Sequence, residues 1–494
     1  MNSTLENNRR VRWGEYQQAV RRHAPSELLP MVAQIASQLK EYEFDQTWQL
    51  FSPWAAAAIG RDSLLYGNEY RSAPVNNRTL NKLFRLFNRA EGEVPEGKEV
   101  WLMMTAFLYE QGHYQDTPLH DVARTLLLLR DTAILAPEIP DRDWTEVLGV
   151  DLEQWLIIIF ALATATKGGG GHFDPTSPER DAWHKLNPDL SPHLVDVVLQ
   201  QLVTNPQEFR EKTRFAPDVA DHLRRFAYNQ LNSTPLIDFG DDLLVAPQYL
   251  LILRCMLVEN IFYRATQKWK LFPEELGYRV EAYTGRQLEY AEFTDIQPEI
   301  TYGRDNKKSV DWLVVHDGTL LLIECKAAKQ TLDVKAGGLG ALDYLESRVG
   351  KARGQIGKSL RLINDGQEEF ASYEGLDSIG LIVTAEPVHM ANESTFIEGL
   401  PETGCPTLVV SLRELEILCH LGADEMVRTL KTIVSDGEFN TLSAVHSIRQ
   451  VADPDKMATH NRIIDEAFEN TIKIWSPKLS TLLDDTGDLS KEQA

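Results

Sequence analysis

The sharpest hydrophobic pattern in the chain is Val310–Lys326, VDWLVVHDGTLLLIECK. It predicts two strands around a tight turn. Side chains alternate at period 2, so Val310, Trp312 and Val314 share one face of the first strand and Asp311, Leu313 and Val315 the other. Asp317-Gly318 between two apolar runs is a strong hairpin signal. Thr319–Ile323 has the leucines and β-branched residues of a buried strand. Glu324 and Lys326 then share a face that Cys325 does not. After the hairpin, Leu345, Val349, Ala352, Ile356, Leu360 and Ile363 recur at helical spacing and predict a helix over Tyr344–Ile363. Before it, Pro247–Arg264 is apolar almost all round and predicts a buried helix. Ser378–Thr384 and Pro406–Val410 predict buried strands, and Arg279–Tyr283 and Ile300–Tyr302 weaker ones.

Residues 1 to 240 predict mostly helices. Glu27–Tyr42, Leu80–Ala90, Val100–Gln111 and Asp121–Leu135 have helical apolar spacing between Pro, Gly and Asn breaks. Seven of the ten tryptophans precede residue 184, which implies an aromatic core there. The insert Lys167–Pro175, KGGGGHFDP, has four glycines but neither the phosphate-loop pattern nor a strand before it. It reads as a hinge or loop between helical parts, with His172 and Asp174 as residues a second site could use. After about residue 412 the pattern is helical again: Leu412–Leu421, Ala423–Ser435 and His460–Ile474, followed by an acidic tail.

Composition narrows the class. A chain of 494 residues that is 43% hydrophobic can build two or three packed domains. The opening residues lack a secretory apolar segment. Trp155–Ala165 is too short to span a bilayer, so no membrane is expected. The four cysteines, 255, 325, 405 and 419, lack metal-ligand spacing and read as free thiols in a reducing cytoplasm.

The chemistry concentrates on the hairpin. An Asp on one strand and Glu-x-Lys ending the next bring two carboxylates and an ammonium to one point. Short Glu-x-Lys strings commonly mark solvated strand faces, but this one closes an apolar run. A hard divalent cation takes oxygen ligands, usually one or two carboxylates with water and substrate phosphate. Asp311, then Glu324-Cys325-Lys326 about a dozen residues on, resembles the active centre of the PD-(D/E)xK nuclease superfamily over roughly residues 245–420. The order helix, strands, hairpin, helix, strand also resembles its α/β core.

That resemblance implies an α/β restriction-endonuclease-like core, a central mixed sheet flanked by helices, over 241–420. It would carry a helical regulatory or oligomerising region at 1–240 and a helical extension at 421–494. It implies a magnesium- or manganese-dependent endonuclease acting on DNA, with Asp311 and Glu324 as metal ligands and Lys326 positioning water or stabilising the transition state. An RNase of the same fold, or an inactive adaptor on it, is the alternative. Many members place a Gln on the helix after the Glu-x-Lys strand, and Gln355 resembles that position. Ser359 stands where a Tyr is frequent. Members often add a Glu from a preceding helix, for which Glu259 is the candidate and Glu299 a rival.

Arg348, Lys351, Gln355 and Lys358 fall on one helix face, which reads either as a solvated basic face or as a phosphate-binding stripe, with Lys329 nearby. A net charge of −23 is unusual for a nucleic-acid binder. The basic clusters Lys307-Lys308, Lys326/Lys329/Lys335 and Arg348–Arg361 nevertheless gather around the hairpin, and an acidic shell would leave them as a focused groove. Cutting both strands of DNA implies a dimer or tetramer. The outline is most similar to stand-alone bacterial phage-defence nucleases of Shedu or Mrr type.

Overall fold

A computed structural model describes residues 11–39, 50–90, 96, 98–114, 119–134, 139–213, 221–327, 332–335, 340–435, 444–457 and 460–475. Among these residues the main sheet has five strands: Asp295–Pro298 (β1), Trp312–His316 (β2), Thr319–Lys326 (β3), Asp377–Thr384 (β4) and Thr407–Ser411 (β5). Their order across the sheet is β5-β4-β3-β2-β1. β1, β2 and β3 form an antiparallel meander, while β4 runs parallel to β3 and β5 parallel to β4. The sheet is therefore mixed.

The hairpin forms where the pattern predicts it. Asp317 and Gly318 have φ of 41° and 68°, the two left-handed positions that match a two-residue turn to strand twist. The period-2 alternation separates two hydrophobic layers. Val314, Leu321, Ile323 and Cys325 join one apolar cluster, and Leu313, Leu320 and Leu322 the other.

A helix covers each face. Phe272–Tyr290 (α1) buries Leu276, Val280 and Tyr283 in the first cluster; Lys351–Asn364 (α2) buries Ala352, Ile356, Leu360 and Ile363 in the second. The stripe predicted over Tyr344–Ile363 is thus a helical run, Gly340–Leu345 leading through a π-turn at Glu346–Gly350 into α2.

Three expectations change. Arg279–Tyr283 lies inside α1 and is not a strand. Pro273 in its first turn, Glu274 and Glu275 beside it, and buried Leu276, Val280 and Tyr283 at helical spacing decide the matter. Thr301–Tyr302 pairs with Lys307–Lys308 in a separate small hairpin, and the outer strand of the main sheet is β1 instead. The apolar run from 247 breaks at Cys255–Leu257 into Leu250–Arg254 and Val258–Lys268.

Before α1 the chain is largely helical, with Pro25–Gln38, Asn77–Arg89, Lys98–Gln111 and Leu119–Leu129 near their predicted places. It also holds a small four-stranded sheet, His172–Phe173, Leu244–Val245, Leu236–Asp238 and Val203–Thr204 in that order. The glycine-rich insert is a packed turn leading into it. A Cβ on Gly171, which has φ 86°, would meet the Ala33 backbone at 2.7 Å. Asp174 caps its own turn through Thr176.

One apolar cluster extends from Trp13 to Ile464, across residues 240 and 420. Of the free cysteines, 255, 325 and 419 are buried and 405 is half-buried. Among the described residues no helix is long and apolar enough to cross a membrane.

One glycine fixes how α1 meets the sheet. A Cβ on Gly285 would lie 2.5 Å from Trp312 Cζ2, and the Trp312 indole donates to the Glu281 carbonyl at 3.2 Å. Alanine is the better helix former by roughly 1 kcal/mol. Gly285→Ala is nonetheless expected to destabilise by about 1–3 kcal/mol, because overpacking against a ring outweighs propensity. Urea denaturation checks the sign: a stabilised variant would mean that Trp312 can move away without cost.

Candidate active site

The carboxylates and the ammonium come from neighbouring backbone. Asp311 immediately precedes β2, and its Oδ2 accepts the Cys325 N–H at 2.6 Å. Glu324 and Lys326 end β3 on the face that α2 covers. Lys326 Nζ donates to Glu324 Oε1 and to Gln355 Oε1, the latter at 2.9 Å. The structure therefore brings together Asp311, Glu324, Lys326 and Gln355, four residues singled out in the sequence.

Ser359, one turn beyond Gln355, is buried. Its Oγ accepts the Val310 N–H at 3.1 Å. A hydroxyl at this position ties α2 to the backbone that presents Asp311.

Electrostatics set the site apart. Glu324 is 1% exposed, and burial pushes its carboxyl to about 8, with the Asp311 charge adding to the effect and Lys326 opposing it. Asp311 is also raised, first by burial, against the Cys325 N–H and Lys326, which favour its charge. Glu324 Oε2 is buried and accepts no hydrogen bond from any described residue. A buried carboxylate oxygen without a donor is costly.

That oxygen is what a cation would satisfy, and two carboxylates match the sparse protein ligation of Mg²⁺. Among the described residues no group of three or more His, Cys, Asp or Glu is arranged to hold a metal. The remaining positions of a cation here would fall to water and substrate oxygens.

The other candidates divide. Glu299 pairs with Lys308 at 2.7 Å, and its charge helps raise Asp311. Glu259 belongs to another cluster, with Lys335 at 3.3 Å and Arg254 at 3.7 Å. Arg348, Lys351 and Lys358 are exposed on the face of the helical run, and Lys358 Nζ lies 5.3 Å from the centre of the Tyr302 ring. Lys329 lies outside the described residues.

Sequence reasoning missed Glu281. It is half-buried on α1, and its charge helps raise Glu324 and the nearby Lys308. Reading Arg279–Tyr283 as helix would have placed Glu281 four residues before Gly285, on the side of α1 that meets Trp312.

Comparison with protein-family models, curated proteins and solved structures found no match to this chain.

Proposed function

We propose that the hairpin carries the active centre of a metal-dependent endonuclease of PD-(D/E)xK type that hydrolyses phosphodiester bonds in DNA. The observation that carries this reading is the buried, unpartnered Glu324 Oε2 next to Asp311, with Lys326 held between Glu324 and Gln355. The meander β1–β2–β3, the crossing through α2 and the parallel β4 support it, because they follow the helix, hairpin, helix, strand order of that superfamily's restriction-endonuclease-like core.

In this reading Asp311 and Glu324 hold Mg²⁺ or Mn²⁺. Such a cation, when bound, neutralises phosphate charge and lowers the pKa of a bound water. Gln355 fixes the direction of the Lys326 ammonium, which then orients the attacking water or stabilises charge on the phosphate oxygens. Arg348, Lys351 and Lys358 offer a basic path for the phosphate backbone alongside. Cutting both strands requires two such centres, so an even-numbered assembly accompanies this function.

The test is cleavage of linear and supercoiled DNA, with RNA in parallel, in Mg²⁺, Mn²⁺ or EDTA. The native chain should cut DNA only with metal, and Lys326→Ala should be slower by about a hundred- to a thousandfold. A Lys326→Ala protein that cuts at the native rate would place the chemistry elsewhere. Cleavage confined to RNA would keep the centre and change the substrate.

A further inference from the structure

The sheet ladder stops just short of one of the two carboxylates. The pairing of β1 with β2 ends at Pro298 and Trp312, and that of β2 with β3 at Trp312 and Ile323. Proline carries no N–H, so it suits the end of an edge strand. Glu324 is still held by the sheet on its other side, opposite Ile382 of β4. Asp311 lies one residue outside both ladders. Its place therefore depends on side chains.

The backbone that leads into Asp311 is deeply buried. Val310 is 0% exposed and Ser309 1%. Buried N–H and C=O groups need partners wherever a ladder does not supply them. Here two hydroxyls supply them. Ser309 Oγ donates to the Val310 carbonyl at 2.9 Å, and Ser359 Oγ, from α2, accepts the Val310 N–H at 3.1 Å. Ser309 is itself anchored twice to Ile300. Its N–H donates to the Ile300 carbonyl at 3.0 Å, and its Oγ accepts the Ile300 N–H at 2.8 Å. Asp311 Oδ2 then accepts the Cys325 N–H at 2.6 Å, which ties the carboxylate to β3 and leaves Oδ1 to face a cation.

Ser359 is four residues after Gln355, so the two share a face of α2. Gln355 holds Lys326 and Ser359 holds the Val310 backbone. One helix thus places both the ammonium and a carboxylate, two groups that arrive on different strands.

We propose that Ser309 and Ser359 are positioning residues of the metal centre, their hydroxyls clamping the Val310 backbone so that Asp311 stands where it can share a cation with Glu324. This rests on the metal-centre reading of the hairpin and adds to it two residues that touch neither cation nor substrate. Each hydroxyl serves a different group of one residue, so neither replaces the other. Without Ser359 the Val310 N–H would be buried and unpaired, a state relieved by a shift of the backbone that carries Asp311 with it. Groups that hold metal ligands in place typically contribute about ten- to a hundredfold in metal affinity.

The test is titration of the full chain with Mn²⁺, followed by the electron paramagnetic resonance signal of the free ion, with melting curves in EDTA to confirm folding. The native chain should bind Mn²⁺ at a site that Glu324→Gln abolishes. Ser359→Ala and Ser309→Ala should each weaken that site about tenfold while remaining folded. Ser359→Thr keeps the hydroxyl and should restore most of the affinity. A folded Ser359→Ala that binds Mn²⁺ as tightly as the native chain overturns the clamp and leaves the metal centre standing. So does a Ser359→Thr that binds as weakly as Ser359→Ala. Should Ser359→Ala not fold, Ser309→Ala decides by the same comparison. A native chain that binds no Mn²⁺ at a Glu324-dependent site would overturn the metal centre itself, and the clamp with it.

Discussion

Glu324→Gln should give a protein that melts at a higher temperature than the native chain at pH 8 in EDTA, yet cleaves no DNA when metal is restored. Glu324 is 1% exposed, and its carboxyl is pushed from 4.5 to about 8, chiefly by burial. A folded pKa above the unfolded one means that stability is complete below about pH 4.5 and is lost as pH rises to about 8. The neutral amide escapes that loss and still offers an oxygen to Lys326. The gain at pH 8 should be on the order of 2 kcal/mol, since Lys326 loses its partner's charge. It should shrink towards pH 5, where native Glu324 is already protonated. In the proposed metal centre proton and cation would compete for one carboxylate, so Mg²⁺ should stabilise the native protein more as pH rises and should leave Glu324→Gln unmoved. Parallel melting curves for the two proteins from pH 5 to 8 would mean that the burial of Glu324 is not what strains the site.

The same side chain shows why this part of the molecule was legible in the sequence. β2, the Asp317-Gly318 turn and β3 are contiguous, and period 2 alone decides that Glu324 and Lys326 share a face. Gln355 needed one more step, helical spacing along a stripe whose apolar side was clear. Beyond contiguous backbone the signal fades. Arg279–Tyr283 reads as a strand locally because Val280 and Tyr283 favour strands, and only Pro273 and the longer apolar spacing restore the helix. That reading concealed Glu281. Glu259 carried the right chemistry for a further ligand, but its partners, Arg254 and Lys335, are chosen by tertiary packing. The short strands at Val203–Thr204 and Leu236–Asp238 are too brief for any periodicity to show.

Arg124→Ala should be among the most damaging single substitutions in the chain, although it lies outside the hairpin centre. Arg124 is 9% exposed, and its guanidinium donates to Glu416 Oε1 at 2.7 Å and Oε2 at 2.5 Å, and also to Asp121. Glu416 accepts the Tyr283 hydroxyl at 2.9 Å as well. One bidentate pair thus fastens the Leu119–Leu129 helix to the Leu412–His420 helix and, through Tyr283, to α1, the helix that packs on Trp312 beside Asp311. Removing the arginine leaves Glu416, 3% exposed, as a buried charge with a phenol for company. Loss of about 3–5 kcal/mol is expected in urea denaturation at neutral pH. The loss should diminish at acid pH, because an uncompensated buried carboxyl has a raised pKa and can be neutralised by protonation. Arg124→Met combined with Glu416→Leu should recover much of the stability, since apolar groups of similar size remove the desolvation cost along with the pair. A single substitution costing under about 1 kcal/mol, or a double variant weaker than the single, would show that the pair does not hold these helices together. The interaction joins residues 292 positions apart, so the helices before residue 240 and the strands that carry the site share one core and one set of buried charges.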